Sequence, residues 1–368
     1  MDIRIPIIIV IILGSLFFKN MNNGKRMYIT LITIILVLES CLRSMFFGPD
    51  DTYVYYLMFN QYPDISKLDI LQLFKDDYVN HELYAKDPGF IVLIAAFHLI
   101  SDSYQFFLLF AALLFFVPLG KILYRYSNGI TEVRFAYILH MALFHVIAMC
   151  CLRQQIATGI SFIIFLSVMD GKYRRAILLF IIGLTIHKSL VLILLPLCLL
   201  QFFRNNIKTI HYFSFVLGAC VLVLAHQVVG ALASFTNNDY YMNYAESQGS
   251  GYTFLALGEL CSLFCLIGLS SKEYIQQSKV NSYLYCMLPC MTVTIPLITV
   301  DGAMIRICQY YTLYLMLLLP AAIHKYFNID GRANRVQSII ELILIILTFI
   351  SPFEYFFFWE KIANPYNI

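Results

Sequence analysis

Residues 103–124 read SYQFFLLFAALLFFVPLGKILY, an apolar run whose one charge, Lys121, lies near its end. A helix that crosses the hydrocarbon core of a bilayer needs about 20 consecutive apolar residues, whereas a soluble surface helix keeps a polar face. This stretch has none, so it reads as a transmembrane helix. Similar runs occupy 4–18, 27–45, 88–100, 134–150, 152–169, 174–186, 189–203, 209–230, 253–270, 281–299, 302–322 and 336–352. Of the 368 residues 60% are hydrophobic and 13% charged, where a soluble domain has about 25% charged. The runs predict an all-α integral membrane protein with about a dozen transmembrane helices. The first run, Ile5 to Phe18, has no convincing basic leader or small-x-small cleavage site and is expected to stay as a helix. No internal repeat and no low-complexity linker divides the chain, so residues 1–368 read as a single domain.

The formal net charge of +3 is close to neutral, and no basic stretch is interleaved with aromatics, so no nucleic-acid partner is expected. The ten cysteines, among them Cys150, Cys151, Cys261 and Cys265, lie mostly inside apolar runs, without CxxC pairs or zinc-like spacing. They read as small hydrophobes. Lysine and arginine set the orientation, because cytoplasmic connections carry the excess. The connections 19–26, 121–134, 170–175, 204–208, 271–280 and 324–335 hold 16 of the 25 basic residues. The opposite face then carries 46–87, the junctions at Arg153 and His187, 231–252 and the turn at Asp301, and it is acidic and rich in tyrosine.

This orientation demands an odd number of crossings between 46–87 and 121–134, yet two apolar runs lie there. The first, 88–100, is short for a span, and Pro88 suits the first turn of a helix. It is expected to be a half-helix packed against protein, since free backbone ends are not tolerated in lipid; the alternative is that 88–100 does cross and the charge rule fails at one connection. The connections 46–87 and 231–252 are too long for mere links. Leu68–Phe74 is predicted as a short amphipathic helix at the interface.

Ionisable groups in or beside a bilayer cost about 2.5–3.5 kcal/mol each on insertion scales, so each needs a reason. The outer-face set is Arg43, Asp50, Asp51, Asp87, Arg153, His187, Lys188, Asp301 and Arg306. On this topology Arg153, His187 and Arg306 reach the same depth, and convergent cations suit an anionic ligand, Arg above all for phosphate. Plainer readings stand beside this one. Arg153 snorkels to the interface; Arg306 pairs with Asp301; His187 bonds a helix-end carbonyl. Arg43 pairs with Glu39 at i, i+4; Asp50 and Asp51 are turn or cap residues; the tyrosines of 240–252 form an interfacial belt. Glu259, in mid-helix, has no evident partner. HExxH, Walker and GxGxxG motifs are absent, so an enzyme here takes its energy from the substrate and not from a nucleotide.

Four stretches carry a resemblance: LRSMFFGPDDTYVYY (42–56), KDPGFIVL (86–93), LRQQIATGI (152–160) with IHKS (186–189), and RICQYY (306–311). In their order and spacing the chain resembles the EpsG/Wzy type of bacterial polysaccharide polymerases. Asp87 stands where that pattern usually has Glu, and 231–252 matches nothing in it. The resemblance implies a GT-C-like membrane glycosyltransferase that joins oligosaccharide repeat units carried on undecaprenyl diphosphate. Its site would lie on the outer face of the bacterial cytoplasmic membrane, and the product would be an O-antigen or capsule chain. It implies Arg153, Arg306 and His187 at the diphosphate and Asp50 or Asp51 as the base, with His187 as the alternative base. Arg43, Tyr53, Asp87, Gln154, Lys188, Tyr241, Asp301, Tyr310 and Tyr311 would contact substrate, the tyrosines as flat faces for sugar rings. No cofactor is expected; a divalent metal is compatible with the chemistry and not required by it. A chain-length regulator is the implied protein partner. The alternatives are an O-antigen ligase, another lipid-linked glycosyltransferase, or a transporter of lipid-linked glycan.

Overall fold

The computed structural model describes residues 4–45, 50–80, 85–235, 251–327 and 332–349, and every regular element among them is helical. Two compact units divide the chain, Met1–Val191 and Leu192–Phe357. The boundary falls inside the 3-10 helix Lys188–Ile193, which explains why no linker composition marks it and why the sequence reads as undivided.

In the first unit the helices are α1 (Arg4–Phe18), α2 (Gly24–Leu42), α3 (Asp50–Gln61), α4 (Ile70–Tyr78), α5 (Pro88–Phe97), α6 (Tyr104–Tyr126), α7 (Ile130–Leu139), α8 (His145–Cys150), α9 (Leu152–Met169) and α10 (Tyr173–Ile186). Helix α6 packs along α2 and α9, and α9 along α10, around buried Phe107, Phe115, Phe116 and Phe162. Helix α5 has 10 residues, about 15 Å at 1.5 Å per residue and half of a ~30 Å bilayer. This is the short apolar helix that the charge pattern asks for. It lies against α10 because Gly89 has no side chain: a Cβ there would come within 2.1 Å of Thr185 Oγ1.

The second unit holds α11 (Leu194–Phe203), α12 (Ile207–Val223), α13 (Ala225–Phe235), α14 (Tyr252–Leu269), α15 (Lys272–Gln277), α16 (Lys279–Thr294), α17 (Ile305–Thr312), α18 (Leu315–Phe327) and α19 (Arg332–Phe349). A buried polar chain ties three of them. His211 of α12 reaches Tyr285 OH of α16 at 3.1 Å and Ser262 Oγ of α14 at 2.9 Å, and Ser262 reaches Thr292 Oγ1 at 2.7 Å. Such contacts hold helices together where lipid removes the hydrophobic drive between them. Both carboxylate oxygens of Glu259 lack a hydrogen-bond partner among the described residues, as its sequence position suggests.

The expected dozen spans is not what the helices show. Among the described residues four are long and apolar enough to cross, Tyr104–Tyr126, Leu152–Met169, Tyr252–Leu269 and Lys279–Thr299, or six if each of two bent pairs counts as one. The bends are 82° between α12 and α13 and 57° at the break before α18. The difference has a local cause. The run 134–150 breaks at a π turn, His140–Phe144, and 189–203 begins as a 3-10 helix. Helices α2 and α19 are long enough, but each carries three charges: Lys25, Arg26 and Glu39, or Arg332, Arg335 and Glu341. The chain is a membrane protein whose described residues hold four to six such candidate spans and several shorter apolar helices.

The stretch 46–87 is mostly helical. Helix α3 fills much of it, and α4 starts at Ile70 and continues to Tyr78, later than the expected Leu68–Phe74. The start is set by Asp69, whose carboxylate accepts from Gln72 N–H at 2.9 Å, as a helix cap does. Most of 231–252, with Tyr241, lies outside the described residues.

Candidate active site

The first unit gathers its charges around Asp87. This residue precedes Pro88 and adopts φ 59°, ψ 61°, a left-handed conformation that few non-glycine residues take, though Asp more often than most. A residue before proline is also biased to extended backbone. Such strain persists only where surroundings hold it, and it concentrates at functional sites. The holding contacts are plain. Asp87 is 1% exposed, and its Oδ2 accepts from Arg153 Nη1 at 2.8 Å and faces His187 Nδ1 at 3.3 Å. Its Oδ1 lies 3.4 Å from the Lys188 backbone N–H.

Each partner is delivered by a helix junction. Helix α8 ends at Cys150 and α9 starts at Leu152, so Arg153 occupies a first turn. Its guanidinium lies 5.7 Å from the Tyr55 ring centre and 6.0 Å from that of Phe90, within reach of cation–π attraction. His187 follows the last residue of α10 in extended conformation, φ −158°, and turns its ring to Asp87. Neither the snorkelling reading of Arg153 nor the carbonyl-bonding reading of His187 describes these contacts. The Lys188 ammonium goes to Asp77 Oδ1 at 2.7 Å and stands 4.7 Å from the Tyr78 ring centre, so it latches α4 to the end of α10.

Burial by itself would raise the Asp87 carboxyl. The hydrogen bond and charge of His187, then the charges of Arg153 and Lys86, outweigh it and hold Asp87 well below the usual carboxylate range. At Asp77 burial wins over the hydrogen bond and charge of Lys188, and the carboxyl is pushed up. Asp87 is therefore a buried anion with its partners in place. It orients Arg153 and His187; it does not present itself to a ligand, as the sequence reading expected. Arg153 and His187 each keep 17% side-chain exposure, so they are what the centre can offer.

Other expected site residues fall elsewhere. Gln154 is 2% exposed, and its Oε1 accepts from Ser189 Oγ at 3.3 Å, bracing the His187 turn from inside. Arg43, 5% exposed, does not pair with Glu39. Its Nη1 donates to Ser40 O at 2.5 Å and Ser40 Oγ at 2.7 Å, while Glu39 Oε1 lies 2.9 Å from His145 Nε2. Arg43 Nε and Nη2, Gln155 Oε1 and Thr52 Oγ1 are buried without partners among the described residues. Helix α3 begins at Asp50, with half-buried Asp51 next and Tyr53 40% exposed and stacked on Tyr56 at 6.3 Å.

In the second unit Asp301 caps a 3-10 turn, its Oδ1 accepting from Ala303 N–H at 2.7 Å. Arg306 is half-buried in the first turn of α17. Tyr310 and Tyr311 are 2% and 1% exposed, and Tyr311 OH donates to Leu192 O at 2.8 Å. They pack the interior and offer no open ring face. Sequence reasoning missed Asp77, Tyr55 and Phe90, whose roles depend on how α3, α4 and α5 fold over the junctions. Among the described residues no three His, Cys, Asp or Glu side chains converge as a metal site.

A family model described as the EpsG family matches residues 26–368, nearly the whole chain. No curated protein matches the chain, and no solved structure does.

Proposed function

We propose a function that proceeds from one fact: this chain belongs to the EpsG family. Membership gives it a polysaccharide-polymerase type of role in a membrane. The finer reading is a Wzy-type polymerase that joins undecaprenyl-diphosphate-linked repeat units on the outer face of the bacterial cytoplasmic membrane. The observation that supports it most is the Asp87 centre, a buried carboxylate that holds an arginine and a histidine at one point of the first unit.

In the reaction, an acceptor hydroxyl oxygen bonds to the anomeric carbon of the donor. The bond from that carbon to the diphosphate oxygen breaks, and its electron pair leaves with the lipid diphosphate. Arg153 meets the charge that grows on the leaving oxygen, a task for which a preoriented guanidinium suits. The hydroxyl proton passes to a carboxylate at the start of α3, Asp50 or Asp51, with His187 the alternative acceptor. Tyr53 gives a sugar ring a flat face. Arg306 contributes a second cation, a role that rests on the family resemblance. Divalent metal is not needed for these steps, and a chain-length regulator is the expected partner.

The test is reconstitution. Purified protein receives lipid-linked repeat units from the source strain, without nucleotide sugar, and the products are run on a gel. A ladder that Arg153→Ala removes, while the variant still inserts in the membrane, supports the polymerase. A single unit that persists, and is transferred when lipid A core is added, assigns ligation in its place. Movement of the unit across a vesicle membrane without any new bond assigns transport.

A further inference from the structure

A cavity of about 520 Å³ lies on the first unit, far in sequence from the Asp87 centre, between α2 and α6. Its walls are apolar for most of its length, with Val37 and Leu38 of α2 facing Leu113 and Val117 of α6. Leu38, Leu113 and Val117 are 48%, 44% and 50% exposed, so the cavity is a groove open to the surroundings of the helices. Its floor is close contact. Gly120 has no side chain, and a Cβ there would stand 2.8 Å from Thr33 Oγ1 and 3.2 Å from Ile29 Cγ2.

One end is chemically different. Arg26 and Lys121 line it with the hydroxyl of Thr30. Both cations are exposed, and neither has a hydrogen bond or ion pair among the described residues. The carboxylate within electrostatic range of Lys121 is Asp170, already bound by Arg125 at 2.7 Å. Neighbouring Lys25 is already engaged, its ammonium donating to Tyr124 O at 2.8 Å and Ser127 O at 2.5 Å and so closing the last turn of α6. Arg26 and Lys121 belong to the basic end that the positive-inside rule places at the cytoplasm.

We propose that this groove is a binding site for an anionic phospholipid, with one acyl chain along α2 and α6 and the phosphate between Arg26 and Lys121. An apolar channel in a membrane protein is filled by lipid tails of any kind. The unpaired cations at one end are what select a charged headgroup, as basic pockets between transmembrane helices do. Arginine and threonine supply the donors that a phosphate oxygen accepts from. The site is separate from the proposed glycosyl transfer and does not depend on it.

The full-length protein is purified in detergent, stripped of lipid, offered equal amounts of phosphatidylglycerol and phosphatidylcholine, and examined by native mass spectrometry. The proposal expects one retained phosphatidylglycerol in at least tenfold preference. Arg26→Gln with Lys121→Gln removes that preference, and Val117→Trp, which fills the groove, removes retention of the lipid. The charge-matched control Arg174→Gln with Arg175→Gln leaves both unchanged. Equal retention of the two lipids by the wild type overturns the proposal. So does a control that loses the preference as fully as the groove variant, or a groove variant that keeps it.

Discussion

Two arginines of the first unit, Arg153 half-buried and Arg43 buried, stand in opposite circumstances. Arg153 is paired: Asp87 takes its Nη1 at 2.8 Å, and rings of Tyr55 and Phe90 flank it. Arg43 is anchored on Ser40 through one nitrogen, and its Nε and Nη2 have no partner among the described residues, while Gln155 Oε1 and Thr52 Oγ1 are orphaned as well. An unmatched buried polar group is expensive, and a buried ion pair is hard to break one partner at a time. The difference tells which residue holds the fold and the site together and which one the fold merely accommodates.

The largest effect is expected at Asp87. Asp87→Ala leaves Arg153 and His187 without their shared acceptor, and should destabilise the first unit by about 3–5 kcal/mol. Polymer formation should fall at least 100-fold. Chemical denaturation of detergent-purified protein and a product gel measure the two. Arg153→Lys comes next. Lysine keeps the charge and loses the planar fork, so stability should drop less than in Asp87→Ala while turnover still falls about tenfold or more. Equal turnover in Arg153→Lys would show that charge alone matters there.

The pH dependence sharpens the same contrast. The folded-state pKa of Asp87 lies below its unfolded value near 3.9. The stability it contributes is therefore present above about pH 4 and lost as pH falls through the lower folded value. Melting curves of the wild type should fall below about pH 4, and those of Asp87→Asn should fall less. Arg43→Met is expected to be neutral or stabilising, since an apolar side chain of similar length removes the orphaned donors. If polymer formation is lost in that variant with melting unchanged, Arg43 serves substrate and the comparison breaks. The smallest effect belongs to Asp77→Asn. Lys188 is 45% exposed, so the pair should contribute only about 0.2–1 kcal/mol. Its loss should appear as faster proteolysis near α4 with little change in melting.

Much of the fold was legible because hydropathy in lipid has one meaning. The all-helical class, the short helix at Pro88 and the junctions at Arg153 and His187 follow from runs of apolar residues and the charges that interrupt them. The span count did not follow, since a π turn at His140–Phe144 and a 3-10 start at Lys188–Ile193 are backbone breaks that the hydropathy of those runs does not report. The site was legible in part. Arg153 and His187 were singled out from sequence, and the structure brings both to Asp87. Tyr310 and Tyr311 looked like ring faces and are buried, because tyrosine satisfies a buried hydroxyl as readily as it meets a sugar. Asp77 sits in an ordinary polar stretch, and only the docking of α4 gives Lys188 to it.

The central claim is that Arg153, held by Asp87, assists departure of a lipid diphosphate as a glycosidic bond forms. The direct measurement counts both products in one reaction, with a labelled donor and a defined acceptor, for wild type and Arg153→Ala. The account predicts one lipid diphosphate released per bond formed in the wild type, release only with acceptor present, and loss of both products together in the variant. Polymer growth without lipid diphosphate release, or wild-type rates from Arg153→Ala, would contradict it.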